Sequence, residues 1–482
     1  MSNAEQRFNQ LTNTLIKQNL DLSQREIPFE GGRLRIFFIK QIIDIPLLSQ
    51  NVIRPLINNC ARSKRPITAE HALNHILFSS VCSVSKDDAA IVDLILSGNV
   101  VILFSNDEQY LIVKLKRIEH RNIPEPEIEY SLRGSKDCLI ENLDVNISLI
   151  RYRIKDNMLR LKMIDVGKRT KTRIAIVYIE DIASDTLVRE IQKRIEDINV
   201  DGIIDSGEIQ EFLLNKKLSL FPQMGLVERS DYACRLLLGG RVITLIDGCA
   251  LALSAPATFL EFFYSCDDFY ENKFFGMFMR IIRYASLFAA LTASSFYVAF
   301  TSFHTDALPS GYAILLAEMN ANVPFPSVVG AFLLELLMEI IRESLLRVPR
   351  RIGSAIGIVG AIVIGQAAIS AGLFSPLLLI IASSSLMSSF VVPDYTLVNA
   401  VRILKFILLI FTGLFGFYGF SIIMCLILAE LVSINSFGIP YMAPLAPFNK
   451  YDFLRVPMEN KTISPFRKKY MYNKNRKQKG NM

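Results

Sequence analysis

Glu335, Glu339 and Glu343 recur every four residues in a stretch otherwise built of Leu, Ile, Met and one Arg342. On a helix that spacing drifts slowly around one face, so the three carboxylates make a stripe with Leu and Ile opposite. Carboxylates in apolar surroundings persist only when paired or wet. Three arrangements satisfy this. The stripe lines a watery ion pathway, or it lies at a membrane interface with its acids in water, or it pairs with Arg342, Arg347, Arg350 and Arg351 along the helix or across a subunit boundary. A second run, Ile352 to Gly372, offers chemistry of shape rather than charge. Gly353, Gly357, Gly360 and Gly365 allow close helix approach. The same small residues could leave room for a pore gated by dewetting at apolar rings of Ile356, Val359 and Val363, with Gln366 as a polar ring in an oligomer.

Nothing else in the chain suggests reaction chemistry. His71 and His75 stand four apart, which is metal-ligand spacing, but no Cys or acidic partner accompanies them. Asp201-Gly-Ile-Ile-Asp205-Ser-Gly207-Glu208 lacks the alternating oxygen ligands of a calcium loop and reads as a strand-turn-helix junction. Leu238-Gly239-Gly240-Arg241 reads as a turn, since no Gly-Lys-Ser/Thr follows. Four histidines are scattered, and seven cysteines show no Cys-x-x-Cys spacing, as expected of inert thiols in a reducing compartment. The expectation is no catalytic set, no metal and no cofactor.

The elements that must position these groups divide by solvent. From 352 to 393 no side chain is charged, and Gly372-Leu373-Phe374-Ser375-Pro376 interrupts the run; 284–305 and 406–429 are likewise free of Lys, Arg, Asp and Glu. Five spans are expected, near 284–304, 326–346, 352–372, 376–393 and 406–432. Ahead of them, helices are expected at 42–57 and 69–84. A hairpin is expected from 99–104 to 110–115, with further strands at 174–179 and 242–246 and a helix capped by Ser184. The fold class is therefore an α+β cytoplasmic N-terminal region of two subdomains, followed by an all-α polytopic membrane domain. The boundaries read as a polar segment 1–20, subdomains 21–163 and 164–283, a membrane domain 284–434, and a Pro-containing segment with basic tail, 435–482. Met1 to Leu20 has no signal-peptide core, so the large N-terminal part is expected to stay cytoplasmic. The net charge of +7 belongs almost wholly to residues 449–482, with ten basic and two acidic side chains. That arm suits an anionic membrane surface better than nucleic acid, since no folded basic domain accompanies it. Arg280, Arg283, Arg347–Arg351, Arg402 and Lys405 fit a cytoplasmic side, yet five spans would put the basic tail outside.

Three blocks resemble the A subunits of bacterial spore germinant receptors, the GerA family. The first runs from Pro124-Glu-Pro-Glu-Ile-Glu-Tyr through Asn146-Ile-Ser-Leu-Ile-Arg151-Tyr-Arg153. The second joins Thr170-Lys-Thr-Arg-Ile-Ala-Ile-Val-Tyr-Ile179, Asp201-Gly-Ile-Ile-Asp205-Ser and Phe221-Pro-Gln223. The third holds Pro324-Phe-Pro326, Glu335-Leu-Leu-Met-Glu339, Arg347-Val-Pro349-Arg, Ile356-Gly-Ile-Val-Gly360 and Ile364-Gly-Gln366-Ala-Ala. The chain departs from the family pattern at Arg133-Gly134-Ser135-Lys136-Asp137 and at Leu238-Gly239-Gly240-Arg241.

The resemblance implies a homo-oligomeric, non-enzymatic subunit of the spore inner membrane. Its implied partners are a transporter-like, nutrient-binding B subunit, a lipoprotein C subunit and membrane lipid. It raises the pore reading of Gly353, Ile356, Gly357, Val359, Gly360, Val363 and Gln366, with Glu335, Glu339, Glu343 and Arg342 beside the ion pathway or between subunits. A ligand-gated channel releasing monovalent cations is then the expected function. The alternatives are a scaffold or anchor subunit, and the paralogous subunit that accompanies the dipicolinic-acid channel.

Overall fold

The structure, a computed structural model, describes residues 3–17, 22–30, 32–62, 67–78, 81–116, 126, 128–129, 133–214, 219–321, 323–347, 366–367, 369–453 and 471. The chain forms two compact units: 1–214 with 224–256 and 465–482, and 215–223 with 257–464.

The first unit holds two antiparallel five-stranded sheets. The first has the order β1 (Ser23–Phe29), β2 (Gly32–Phe38), β4 (Asn99–Phe104), β5 (Tyr110–Lys114), β3 (Cys82–Ser85). Strand β4 explains the layering. Its side chains alternate between faces, and all five after Asn99 are buried. Val100 and Ile102 join Val52 and Leu56 on one side, the latter from α2 (Arg54–Arg62). Val101 and Leu103 meet Phe8 and Leu15 of α1 (Asn3–Lys17), and Ile91 and Ile95 of α3 (Ile91–Leu96), on the other. The expected hairpin pairs Leu103 with Tyr110 across Ser105-Asn106-Asp107. Asp107 fixes that turn by accepting the Ala69 and Gln109 amides at 2.8 and 2.9 Å. The helix expected over 69–84 ends at Ile76 instead, because Val84 is recruited as a strand residue opposite Leu111.

The second sheet runs β6 (Leu159–Val166), β7 (Thr172–Ile179), β9 (Val242–Ile246), β10 (Ala252–Ala255), β8 (Gly225–Val227). Leu143, Ile147 and Ile150 of α4 (Leu143–Arg153) pack on Ala175, Val177 and Ile243. Helix α5 (Asp185–Glu196) starts after Ser184 as expected, but the Ser184 hydroxyl bonds Thr186 rather than a backbone amide. Helices α6 (Ser206–Leu213) and α7 (Ser230–Leu238) complete the unit.

The second unit is helical. Helix α8 (Lys273–Ser302) is followed by α9 (Ser310–Asn320), in a segment where no element was expected, and by α10 (Ser327–Arg347), α11 (Pro376–Phe390) and α12 (Tyr395–Ser433). By length and composition, among the described residues, Phe274–Ser302 and Tyr395–Ser433 could each cross a membrane, and Pro376–Phe390 is a shorter apolar helix. Most of the span expected at 352–372 lies outside the described residues. The single span expected at 406–432 is corrected most. Gly416 sits at φ +60°, ψ −143°, inside what hydrogen bonding alone would count as one helix. A Cβ placed on Gly419 would collide with the carbonyl oxygen of Phe411. Eight residues of straight helix span about 12 Å, so that contact requires the chain to double back. Arms 395–415 and 417–433 thus form an antiparallel hairpin, with Leu404, Leu408, Ile423 and Ile427 in one core.

Helix directions follow from side-chain register. Ser385 bonds the Ala290 carbonyl and Ser375 bonds Tyr297, so α11 runs antiparallel to α8. The hairpin tip meets the far end of α8 through Phe417, Phe300 and His304. Its return arm ends in a core shared with Phe262, Phe263 and Tyr441, beside Tyr284 near the start of α8.

Candidate functional site: a charge seam between two helices

Helix α10 carries the acidic stripe, and its partner is the outgoing arm of α12. Lys405 Nζ lies 2.6 Å from Glu335 Oε2, with Glu335 fully buried, and the Ser294 hydroxyl of α8 donates to the other carboxylate oxygen. One turn on, Arg402 grips Glu339 Oε2 at 2.8 Å from Nε and 2.5 Å from Nη2. Phe332 meets Phe406, and Val328 fills the space where a Cβ at Gly413 would stand. The sequence numbers climb on one helix as they fall on the other, so the two run antiparallel with acid facing base at each turn.

Arg342 turns the other way. Its guanidinium donates to Ser389 and lies 4.6 Å over the Phe390 ring, both on α11, and 4.0 Å from Glu339 Oε1. Glu343 pairs with Arg347 at 2.8 Å on the exposed surface. Beside this end of the seam is an open recess of about 440 Å³ lined by Glu339, Ile340, Glu343, Ser344, Arg347 and Arg402. Glu339 Oε1 and Arg342 Nε are buried without a hydrogen-bond partner among the described residues.

The stripe anticipated from spacing is therefore real, but its expected intrahelical pairing with Arg342 and Arg347 holds at full strength only for Glu343. From sequence alone the main cations, Arg402 and Lys405, stand out only as markers of membrane side. Their spacing of three, antiparallel to the acids' spacing of four, was the available signal. Ser294 and Ser389 carry no sequence signal of this kind. Of the pore-lining set, Gln366 is an exposed helical residue. Gly353, Ile356, Gly357, Val359, Gly360 and Val363 lie outside the described residues.

The first unit contains a different acidic device. Glu129 Oε2 accepts the Glu228 and Arg229 amides, both at 2.9 Å, while Glu228 Oε2 accepts the Ile128 and Glu129 amides at 2.8 and 3.0 Å. Each carboxylate caps the other's backbone. Burial of its carboxyl end pushes Glu129 up to about 8, against the pull of the two amides, and the Glu228 charge pushes the same way. At the 201–208 junction, Asp205 accepts from the Cys249 thiol at 2.9 Å and caps α6, and these contacts, the thiol first, hold its carboxyl below the usual range. His71 and His75 lie with ring centroids 5.0 Å apart. Among the described residues no group of three His, Cys, Asp or Glu side chains could hold a metal ion.

The Bacillus/Clostridium GerA spore germination protein family matches residues 9–467. Spore germination protein KA of Bacillus subtilis (strain 168) is 35% identical over 433 residues, covering 88% of this chain and 78% of the relative. Spore germination protein GerLA of Bacillus cereus is 33% identical over 445 residues, covering 91% and 90%. The Bacillus subtilis protein YfkQ, named as an uncharacterized membrane protein, is 31% identical over 450 residues, covering 92% and 87%. Among solved structures, the N-terminal domain of the A subunit of the Bacillus megaterium spore germinant receptor GerK3 aligns at TM-score 0.38 and 25% identity, over 51% of this chain and 94% of that one. On the extent of the family match and of the relatives' identity, the chain belongs to the Bacillus/Clostridium GerA family of spore germination proteins.

Proposed function

We propose that the chain is the A subunit of a nutrient germinant receptor, a multi-pass protein of the spore inner membrane whose oligomer passes monovalent cations when a nutrient binds the complex. A transporter-like B subunit and a lipoprotein C subunit are its partners. The observation that carries the channel reading is the seam. Buried acid–base pairs inside an apolar helix bundle are what hydrocarbon surroundings demand, since an unpaired charge there is expensive. At its end, Glu339 Oε1 makes no hydrogen bond and is held only by the Arg342 charge at 4.0 Å, so the acid is weakly restrained where the seam meets an open recess. In sequence, residues 352–366, the candidate pore lining, follow the end of α10 after four intervening residues. Loosening the seam would shift that run, and nutrient can drive the change only by its differential affinity for the two states.

The hairpin supports a membrane topology as well. With its two arms counted separately, α8, α10, the span expected from sequence at 352–372, α11 and the arms make six spans. The basic tail then returns to the side from which α8 starts, in accord with the positive-inside rule.

Potassium release from spores given nutrient tests the reading, with receptor level checked by immunoblot. Val363→Ala and Gln366→Leu are expected to change its onset or rate at equal protein level. Unchanged release in both sinks the pore assignment. It would favour the alternative, a scaffold that the paired seam merely anchors, or the paralogous subunit beside the dipicolinic-acid channel.

A further inference from the structure

The first turns of α8 are amphipathic the wrong way round for water. Phe274, Phe275, Phe278 and Ile281 are 73%, 51%, 57% and 55% exposed, whereas Arg280 and Arg283 are 1% and 7% exposed. Both arginines turn inward to one carboxylate: Arg280 Nε lies 3.2 Å and Arg283 Nη1 2.5 Å from Asp268 Oδ2. Arg280 also lies 4.5 Å over the Tyr264 ring, and Arg283 donates to the Phe263 carbonyl at 3.1 Å. Gly276 lets the helix lie on this support, since a Cβ there would stand 3.3 Å from the Asp268 carbonyl oxygen. The charges are spent on the inside, and large aromatic residues are left outside.

We propose that this face, Phe274 to Ile281, is a lipid-contact surface seated at the headgroup–acyl boundary of the bilayer. The proposal rests on the membrane reading above. The argument for lipid is continuity and length. From Phe274 to Ser302 the only charged side chains of α8 are Arg280 and Arg283, both turned inward, so its outward face is uncharged for 29 residues. At 1.5 Å per residue that face is about 44 Å long, against a hydrocarbon core of about 30 Å. The excess of some nine residues matches the stretch from Phe274 to Ile281, and aromatic side chains on such a stretch suit the boundary. The Asp268–Arg280–Arg283 cluster holds α8 to the two 3₁₀ turns, Phe259–Phe263 and Cys266–Phe269, and so fixes how deep the bundle sits.

The chain has no tryptophan, so one substitution creates a unique tryptophan, which red-edge excitation reads apart from the 16 tyrosines. Full-length Phe278→Trp, Phe275→Trp, Phe288→Trp and Phe263→Trp would each be reconstituted into phosphatidylcholine–phosphatidylglycerol vesicles. The lipids would carry bromine either near the headgroup or near the chain end. The proposal expects Trp at 278 and 275 to lose most fluorescence to shallow bromine, and Trp at 288 to lose most to deep bromine. Trp at the buried position 263 should be spared by both. Quenching at 288 with none at 275 or 278 overturns the proposal and gives this face to protein, a second copy included, while the membrane reading stands. Stronger deep than shallow quenching at 275 and 278 overturns the boundary placement. No quenching at any position overturns the membrane reading and the proposal together.

Discussion

Lys405 shows why a stripe of carboxylates could be found in the sequence while its meaning could not. Spacing placed Glu335 and Glu339 on one face, but only the register of two helices 70 residues apart in sequence brings Lys405 to Glu335. A buried pair of this kind is weak evidence for stability, yet breaking it from one side is costly, about 3–5 kcal/mol, because the remaining charge stays buried. Lys405→Met is therefore expected to lower the melting temperature of the detergent-solubilised protein sharply. Adding Glu335→Gln should recover much of the loss, and an additive double variant would argue against a coupled pair. Glu129 makes a prediction of opposite character. Its carboxyl, ordinarily near 4.5 when unfolded, titrates near 8 in the fold, so the folded state holds the extra proton between those values. The stability it lends is present below about 4.5 and is lost as pH rises through about 8. Amide protection factors at Glu228 and Arg229, which remove the intrinsic pH dependence of exchange, should fall across that window, with Arg229 and the Glu228 carboxylate the charged groups facing the site. Glu129→Gln should flatten the dependence, and an unflattened profile would assign it elsewhere.

Among the elements, legibility tracked periodicity. The β4–β5 hairpin declared itself through two strand-like runs around Ser105-Asn106-Asp107, and β7 through an unbroken buried run. Strand β3 was hidden because Cys82-Ser-Val84-Ser continues an apolar spacing that a helix would also satisfy. The hairpin of α12 was hidden for a sharper reason. Gly416 lies between Phe415 and Phe417 in a run without charge, so composition carries straight through the point where the backbone reverses. A Cβ there would meet Phe303 Cγ at 3.0 Å and force a left-handed conformation on a residue with a side chain. Gly416→Ala is expected to destabilise by about 1–3 kcal/mol, visible as a lower melting temperature or reduced protein level. Gly413, packed on Val328 in ordinary helix, provides a comparison in which the penalty comes from crowding alone. A variant at 416 as stable as wild type would mean that the turn lies elsewhere.

At the scale of the molecule, composition separated an α/β region from a helical one, and the described residues form two units of those classes. What composition could not supply was direction. Counting apolar runs treats each as one helix, whereas α12 folds into two antiparallel arms, and in the proposed topology the side of the basic tail depends on that count. The hairpin also bears on how such a chain is made. Its arms of 21 and 17 residues are joined by a single glycine, with no charged side chain between 406 and 429. In the multi-pass topology proposed above, nascent chain would reach the insertion machinery as a closed pair, with no hydrophilic loop to thread across. The last two passages would then form in one step late in synthesis, once Arg402 and Lys405 had emerged to meet a helix already in place.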